Sequence, residues 1–299
     1  MTRPVLRAAA VLLVAAAALT AVRAEAVRLR PVGGIYGDSK DVGFAAPEGV
    51  ALAGKDRLYV ADTGNGRIVQ FGISAEQAVA EAVLTFAEIP YPVRLATNSK
   101  GTVFVLDGKL RKIGKVVNNA FGGWVTLAAE GNVVPRALRV DGSDNLWVLD
   151  VAGARLLVLD GDGKLTRTVA LPMDRGTFFS DVALDARGNA FLLDSLGRRV
   201  FVVKADAKEA APFGPVLAND LDFATSLAID GAGHVLVADQ NGGGVVVLAA
   251  DGTFAGRQSG YGWKEGLLRY PSAMAVDPGG RLFVADRGNN RVAVFGLSQ

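Results

Sequence analysis

Six aspartates recur along the chain, at Asp62, Asp107, Asp150, Asp194, Asp239 and Asp286, separated by 45, 43, 44, 45 and 47 residues. Carboxylates gathered on one axis would suit a hard cation such as Ca²⁺, which takes only oxygen ligands. Five positions after each Asp comes a basic residue in five copies, Arg67, Lys112, Arg155, Arg199 and Arg291, with Gly244 in the sixth. That spacing predicts another use for the carboxylates. Each bonds turn amides and its own basic partner, and so serves its repeat. Other chemistries fail for want of residues. The chain holds one histidine, His234, and no cysteine. A tetrahedral zinc site needs three or four His, Cys or carboxylate ligands, and a Ser or Cys nucleophile needs an activating base. His234 falls where other copies carry Arg57, Thr102, Asn145, Asn189 and Arg281, so it reads as a solvated turn residue. No glycine-rich loop opens a helix to cradle phosphate. No catalytic residue, metal ligand or cofactor is assigned.

The elements that carry these residues repeat with them. Each Asp closes a short apolar run, such as Leu58-Tyr-Val-Ala-Asp62, Leu146-Trp-Val-Leu-Asp150 and Leu282-Phe-Val-Ala-Asp286. Continuous apolar runs bounded by turn residues read as strands buried on both faces. Ten residues before each Asp another strand ends, as in Val50-Ala-Leu52, Leu95-Ala-Thr97 and Val182-Ala-Leu184. Between the two lie hairpin signals such as Asp141-Gly-Ser-Asp-Asn145 and Asp230-Gly-Ala-Gly-His234. A third strand follows the basic residue, and a more variable fourth precedes the next copy. Four short antiparallel strands per repeat, six times over and without helical periodicity, predict an all-β, six-bladed β-propeller. The last copy has no fourth strand of its own, while residues 27–37 belong to no copy. That N-terminal strand is expected to join blade six and close the ring, hiding both edges.

Arg3 and Arg7 precede an apolar run from Ala8 to Leu19, and Val22-Arg23-Ala24 offers a small-residue exit. This pattern predicts a secretory signal peptide over residues 1–24, with a cut after Ala26 as the alternative. The run is shorter than the roughly 20 apolar residues of a membrane span, so no stable membrane insertion is expected. Of 32 basic residues, removal of Arg3, Arg7 and Arg23 leaves 29 against 30 acidic ones. The basic balance therefore belongs to the leader, and no nucleic-acid partner is expected of a body that lacks it. The expectation is an exported domain, residues 25–299, periplasmic or extracellular, monomeric, and stabilised without disulfides.

The repeats resemble the NHL family. The first and last copies carry the likeness, Pro47-Glu-Gly-Val-Ala-Leu…Asp62-Thr-Gly-Asn-Gly-Arg67 and Pro271-Ser-Ala-Met-Ala-Val-Asp277…Asp286-Arg-Gly-Asn-Asn-Arg291. The middle four copies are degenerate, with Asp107-Gly-Lys-Leu-Arg111 and Asp150-Val-Ala-Gly-Ala154 at the second turn. The resemblance implies a propeller used mainly as a recognition platform. The amidating lyase of this repeat type uses several histidines around zinc, which His234 alone does not supply. Lactonase-like propellers hold a cation on the channel axis with Glu, Asn and Asp. A cation-dependent hydrolase of the lactonase or gluconolactonase type is therefore the alternative expectation, and a structural module of an envelope complex a further one.

What breaks the repeat is more informative than what keeps it. The middle of the innermost strand is Ala51, Ala96, Ala183, Ala228 and Ala275 in five copies and Arg139 in the third. Arg94 and Arg136 stand at the entrances of the innermost strands of blades two and three, flanked by Glu48 and Asp181. Arginine clusters suit carboxylate, phosphate or sulfate through bidentate bonds. The expected site is an anion-recognising mouth formed by Arg94, Arg136, Arg139, Glu48 and Asp181. The expected function is non-catalytic recognition there of a protein, carbohydrate or other anionic ligand.

Overall fold

The computed structural model describes residues 27–298; the leader expected over residues 1–24 lies outside them. Six four-stranded sheets are present, every strand pairing antiparallel. The innermost strands are Gly49–Ala53, Pro92–Thr97, Pro135–Val140, Phe179–Leu184, Ala224–Ile229 and Pro271–Val276. Each is followed in sequence order by its second, third and fourth strand, as blades one to five show in full. The six-bladed β-propeller follows from the repeat as read.

Blade six departs from that order and closes the ring. Its outermost strand is the N-terminal Arg28–Ile35, paired antiparallel with Arg291–Ser298 from Arg28↔Ser298 to Ile35↔Val292, with a bulge between Pro31 and Gly33. Val27 is buried at the start of this strand and joins the core cluster of Leu236, Met274 and Phe295. The pairing covers backbone groups that would otherwise template association.

The core lies between blades rather than within them. Phe191, Leu193 and Val200 of blade four pack with Leu227, Val235 and Val246 of blade five. Ala273, Phe283 and Val292 of blade six pack with Val50, Val60 and Phe71 of blade one. Each fully buried side chain of this size contributes about 1.5–3 kcal/mol, and no blade collects that burial alone.

The repeated aspartates hold this frame together. All six are buried, and each accepts a backbone N–H from the loop before its blade: Ala45 to Asp62 at 2.7 Å, Tyr91 to Asp107 at 2.7 Å, Val134 to Asp150 at 2.9 Å, Phe178 to Asp194 at 2.9 Å, Phe223 to Asp239 at 2.9 Å and Arg269 to Asp286 at 2.6 Å. Arg67, Arg155, Arg199 and Arg291 pair with their aspartates at 2.6–2.9 Å. Lys112 instead lies over the Trp124 ring, and Asp107 takes the N–H groups of Lys109 and Leu110. The carboxylates thus serve their blades, as the spacing predicted.

The first hairpin turns lie on the opposite face and are tied by Asp side chains. In each of Asp141, Asp185, Asp230 and Asp277, Oδ1 accepts the N–H four residues on. Oδ2 bonds the side chain of that same residue, Asn145, Asn189, His234 or Arg281. His234 is therefore not the solvated residue expected. It is 9% exposed, with Nδ1 2.7 Å from Asp230 Oδ2, and performs the turn-locking job of the Asn and Arg in its sister blades.

Candidate anion-binding mouth

One backbone device aims the site. Every innermost strand from blade two to blade six carries a bulge at its start, between Pro92 and Arg94, Pro135 and Ala137, Phe179 and Asp181, Ala224 and Ser226, and Pro271 and Ala273. A bulge breaks strict alternation and re-aims side chains. Consecutive residues such as Val93 and Arg94 consequently both reach the mouth of the central channel. Of the entrance residues, Glu48, Val93, Arg136, Thr225 and Ser272 line the mouth; of those that follow them, Gly49, Arg94, Ala137, Asp181, Ser226 and Ala273, which pair in register with the second strands, Arg94 alone does.

The mouth is a cavity of about 550 Å³ lined by Glu48, Arg94, Arg111, Arg136 and Arg287 among its charged groups, with Asp107 at its wall. Arg94 is 8% exposed. Its Nη1 donates to Glu48 O at 2.9 Å and to Val93 O at 3.1 Å, while Nε finds no protein partner. Blade one makes room for it. A Cβ on Gly49, which occupies the Arg94 position of its own blade, would stand 2.7 Å from Val93 O. Burial pulls the Arg94 guanidinium below its ordinary value; Asp181 opposes this, and Arg136 and Arg139 reinforce it. A guanidinium remains charged across the physiological range, so Arg94 is a buried cation with too little counter-charge. Arg136 is exposed, its Cζ 5.8 Å from the Phe178 ring centroid. Glu48 Oε1 is 3.4 Å from Arg287 Nε without forming a hydrogen bond. Arg111 lies in the second turn of blade two, a contributor that the entrance-based reading missed, although Asp107-Gly-Lys-Leu-Arg111 displays it.

Arg139 and Asp181 sit deeper. Arg139 Nη2 reaches across to Asp181 Oδ2 at 3.1 Å, and its Nη1 donates to Leu138 O. The same Asp181 oxygen accepts Ser226 Oγ at 2.8 Å and Leu227 N at 2.9 Å. Asp181 is fully buried, and its Oδ1 has no protein partner. Arg139 lines a second, smaller cavity of about 200 Å³ with Ala96, Ala183, Ala228 and Ala275. The structure therefore brings Arg94 and Arg136 to the mouth with Glu48 at its edge. It assigns Arg139 to the floor, tied to Asp181.

The mouth face also carries Phe178, Phe223, Tyr261, Trp263 and Tyr270, all partly exposed in the loops that enter the innermost strands, with Trp263 at 73%. Aromatic and arginine side chains are the residues enriched where proteins bind partners. A groove of about 480 Å³ at the perimeter, between the N-terminal strand and blade one, includes Val32, Tyr36, Phe71 and Ala78, with Arg281 paired to Asp277. It gathers no comparable set of uncompensated charges.

A ring of NHL-type blades around a charged axis places the chain among β-propellers. The NHL repeat profile matches residues 44–71 and 268–295, blades one and six, and the chain is a six-bladed β-propeller with NHL repeats in those two blades. The mouse protein named NHL repeat-containing protein 3 is 27% identical over 128 residues, which is 42% of this chain and 36% of the mouse one. The chain thus spans about a third of that relative's length. Among solved structures the fold is similar to a streptogramin B lyase, at 12% identity and TM-score 0.64 over 91% of this chain and 98% of the other. It is also similar to an auxiliary nutrient binding protein from Bacteroides thetaiotaomicron, at 10% and 0.67 over 91% and 77%, and to the calcium-binding protein regucalcin from Agrobacterium tumefaciens, at 13% and 0.61 over 90% and 94%. At such identities the likeness is one of fold.

Proposed function

We propose that this protein is an exported, monomeric binding platform that holds an anionic ligand at the channel mouth. The observation that carries the reading is an imbalance of charge. Arg94, Arg111, Arg136 and Arg287 face one cavity in which Asp107 is occupied by three backbone N–H groups and the further carboxylate, Glu48, already lies beside Arg287. Burying a charge without a counter-charge is costly, and a bound anion supplies one. Catalysis is not required by this arrangement.

The alternative, a cation-dependent hydrolase, shares its fold with the calcium-binding protein regucalcin but needs carboxylates converging on the axis. Asp181 is engaged by Arg139 and Glu48 lies against Arg287. Among the described residues no group of three or more His, Cys, Asp or Glu side chains is arranged to hold a metal ion. Calorimetric titration with sulfate and with citrate tests the binding reading. Both are expected to bind, Arg136→Ala is expected to weaken them about tenfold, and added salt should weaken them further. An Arg136→Ala protein that folds and binds as before would sink it.

A further inference from the structure

Resting on that anion-binding reading, we propose that the ligand is an acidic sugar, a uronic acid either free or at the end of an oligosaccharide. Three buried side-chain polar atoms lack a protein partner among the described residues, and all three lie at the axis and its mouth: Arg94 Nε, Arg287 Nε and Asp181 Oδ1. Leaving such a group unsatisfied is costly, and two of the three belong to Arg94 and Arg287, which line the mouth. Arg94 Nε is a donor without an acceptor, and Arg287 Nε has only the Glu48 carboxylate, 3.4 Å away. Asp181 Oδ1 is enclosed beneath the mouth and lines neither cavity. A bare sulfate or phosphate would answer the guanidinium groups and leave the neutral polar lining of the mouth unused. A ligand with a carboxylate and hydroxyl groups answers both.

The remaining polar lining agrees. Thr225 Oγ1 donates its proton to Pro271 O at 2.8 Å, and Ser272 Oγ bonds Pro47 O and Ala285 O at 3.2 Å each. With their protons committed to neighbouring strands, both hydroxyls offer the mouth lone pairs, which accept from ligand hydroxyls. Gln240 adds an amide able to donate or accept. Phe178 and Phe223, 37% and 38% exposed, stand on the same wall. Their ring faces carry negative quadrupole density and suit the C–H face of a pyranose. The cavity, about 550 Å³, falls within the usual range for small-molecule sites.

The test is calorimetric titration of the full-length protein with D-glucuronate, D-galacturonate, D-glucose, sulfate and triglutamate. At least one uronate is expected to bind about tenfold tighter than glucose and than sulfate. Phe223→Ala, a change at a half-exposed ring that leaves its backbone N–H on Asp239 intact, is expected to weaken uronate about tenfold and leave sulfate unchanged. Sulfate or triglutamate binding as tightly as both uronates would overturn the sugar assignment while leaving the anion-binding mouth standing. Failure of every anion, with the melting temperature unmoved, would overturn both. Uronate binding that Phe223→Ala leaves intact would also overturn the stacking arrangement on which the assignment depends.

Discussion

Arg257 Nη1 lies 2.8 Å from Asp239 Oδ2, so blade five closes its buried ion pair from the outermost strand. Blades one, three, four and six close theirs from the third, through Arg67, Arg155, Arg199 and Arg291. The third-strand position in blade five is Gly244, where a Cβ would come 3.0 Å from Arg257 Nη2 and 2.9 Å from Gln258 O. The missing side chain and the borrowed one occupy the same space.

Arg257→Ala is therefore expected to destabilise the protein by about 1–3 kcal/mol, because it strands a buried carboxylate that keeps only its backbone donors. Chemical denaturation of the variant measures this. Loss of less than about 0.5 kcal/mol, the range of an ordinary surface substitution, would show that Asp239 does not depend on Arg257.

The same pair sets a pH dependence. Burial pushes the Asp239 carboxyl up, but the Phe223 N–H, Arg257 and the Asp222 N–H outweigh it and hold it below the ordinary 3.8. A depressed carboxyl gives stability that is present above its unfolded value and lost as pH falls through the folded one. Wild type should lose this contribution only below about pH 4. The Arg257→Ala protein should start to lose stability at a higher pH. Superimposable acid limbs in melts of the two proteins would contradict the account.

Arg139 and Asp181 form a floor whose members are costly singly and dispensable together. Arg139→Ala leaves a fully buried carboxylate and is expected to cost about 3 kcal/mol. Blade five has Ala228 and Ser226 at the corresponding positions, so Arg139→Ala with Asp181→Ser imports a solution already used by the fold. The double variant should melt closer to wild type than Arg139→Ala does. Additive losses in a double-mutant cycle would argue against coupling across the channel.

Removing residues 28–35 takes the outermost strand from blade six and exposes the edge of Arg291–Ser298. The shortened protein is expected to melt lower and to aggregate, read by thermal denaturation and size-exclusion chromatography. Equal melting temperatures would refute closure by this strand.

Excess EDTA, followed by added Ca²⁺, Mg²⁺ or Zn²⁺, is expected to leave the thermal midpoint unchanged. A site-bound cation would raise the midpoint by mass action, and a reproducible shift of several degrees would favour the hydrolase reading.

The propeller was legible because its signals are local and repeated. The apolar run ending in Asp, the turn and the basic residue five positions on recur often enough to count blades. The closing strand was legible as the one segment without a copy. The site was legible only as exceptions. Arg139 stands out among five alanines, but its partner Asp181 is 42 residues away in sequence, and only the ring brings them together. Which entrance side chains reach the axis depends on the bulges of blades two to six, and Val93-Arg94 looks like ordinary alternation. Arg257 was missed because the exchange of Gly244 for a side chain on a neighbouring strand leaves no local mark. His234 was read as solvated because its position accepts several polar types. Those types share one task, bonding the Asp four residues earlier, and that task takes place largely out of solvent.

Pairing Arg28 with Ser298 has a mechanical consequence. The two strands run antiparallel, with Arg28 and Ser298 at the same end of the pair. Tension applied between Arg28 and Ser298 would load the hydrogen bonds of this pair one at a time, as in opening a zipper, rather than all together in shear. A ring held together by burial shared among six blades would then yield to a pull at one seam, strand Arg28–Ile35 peeling away first and blade six opening before its neighbours.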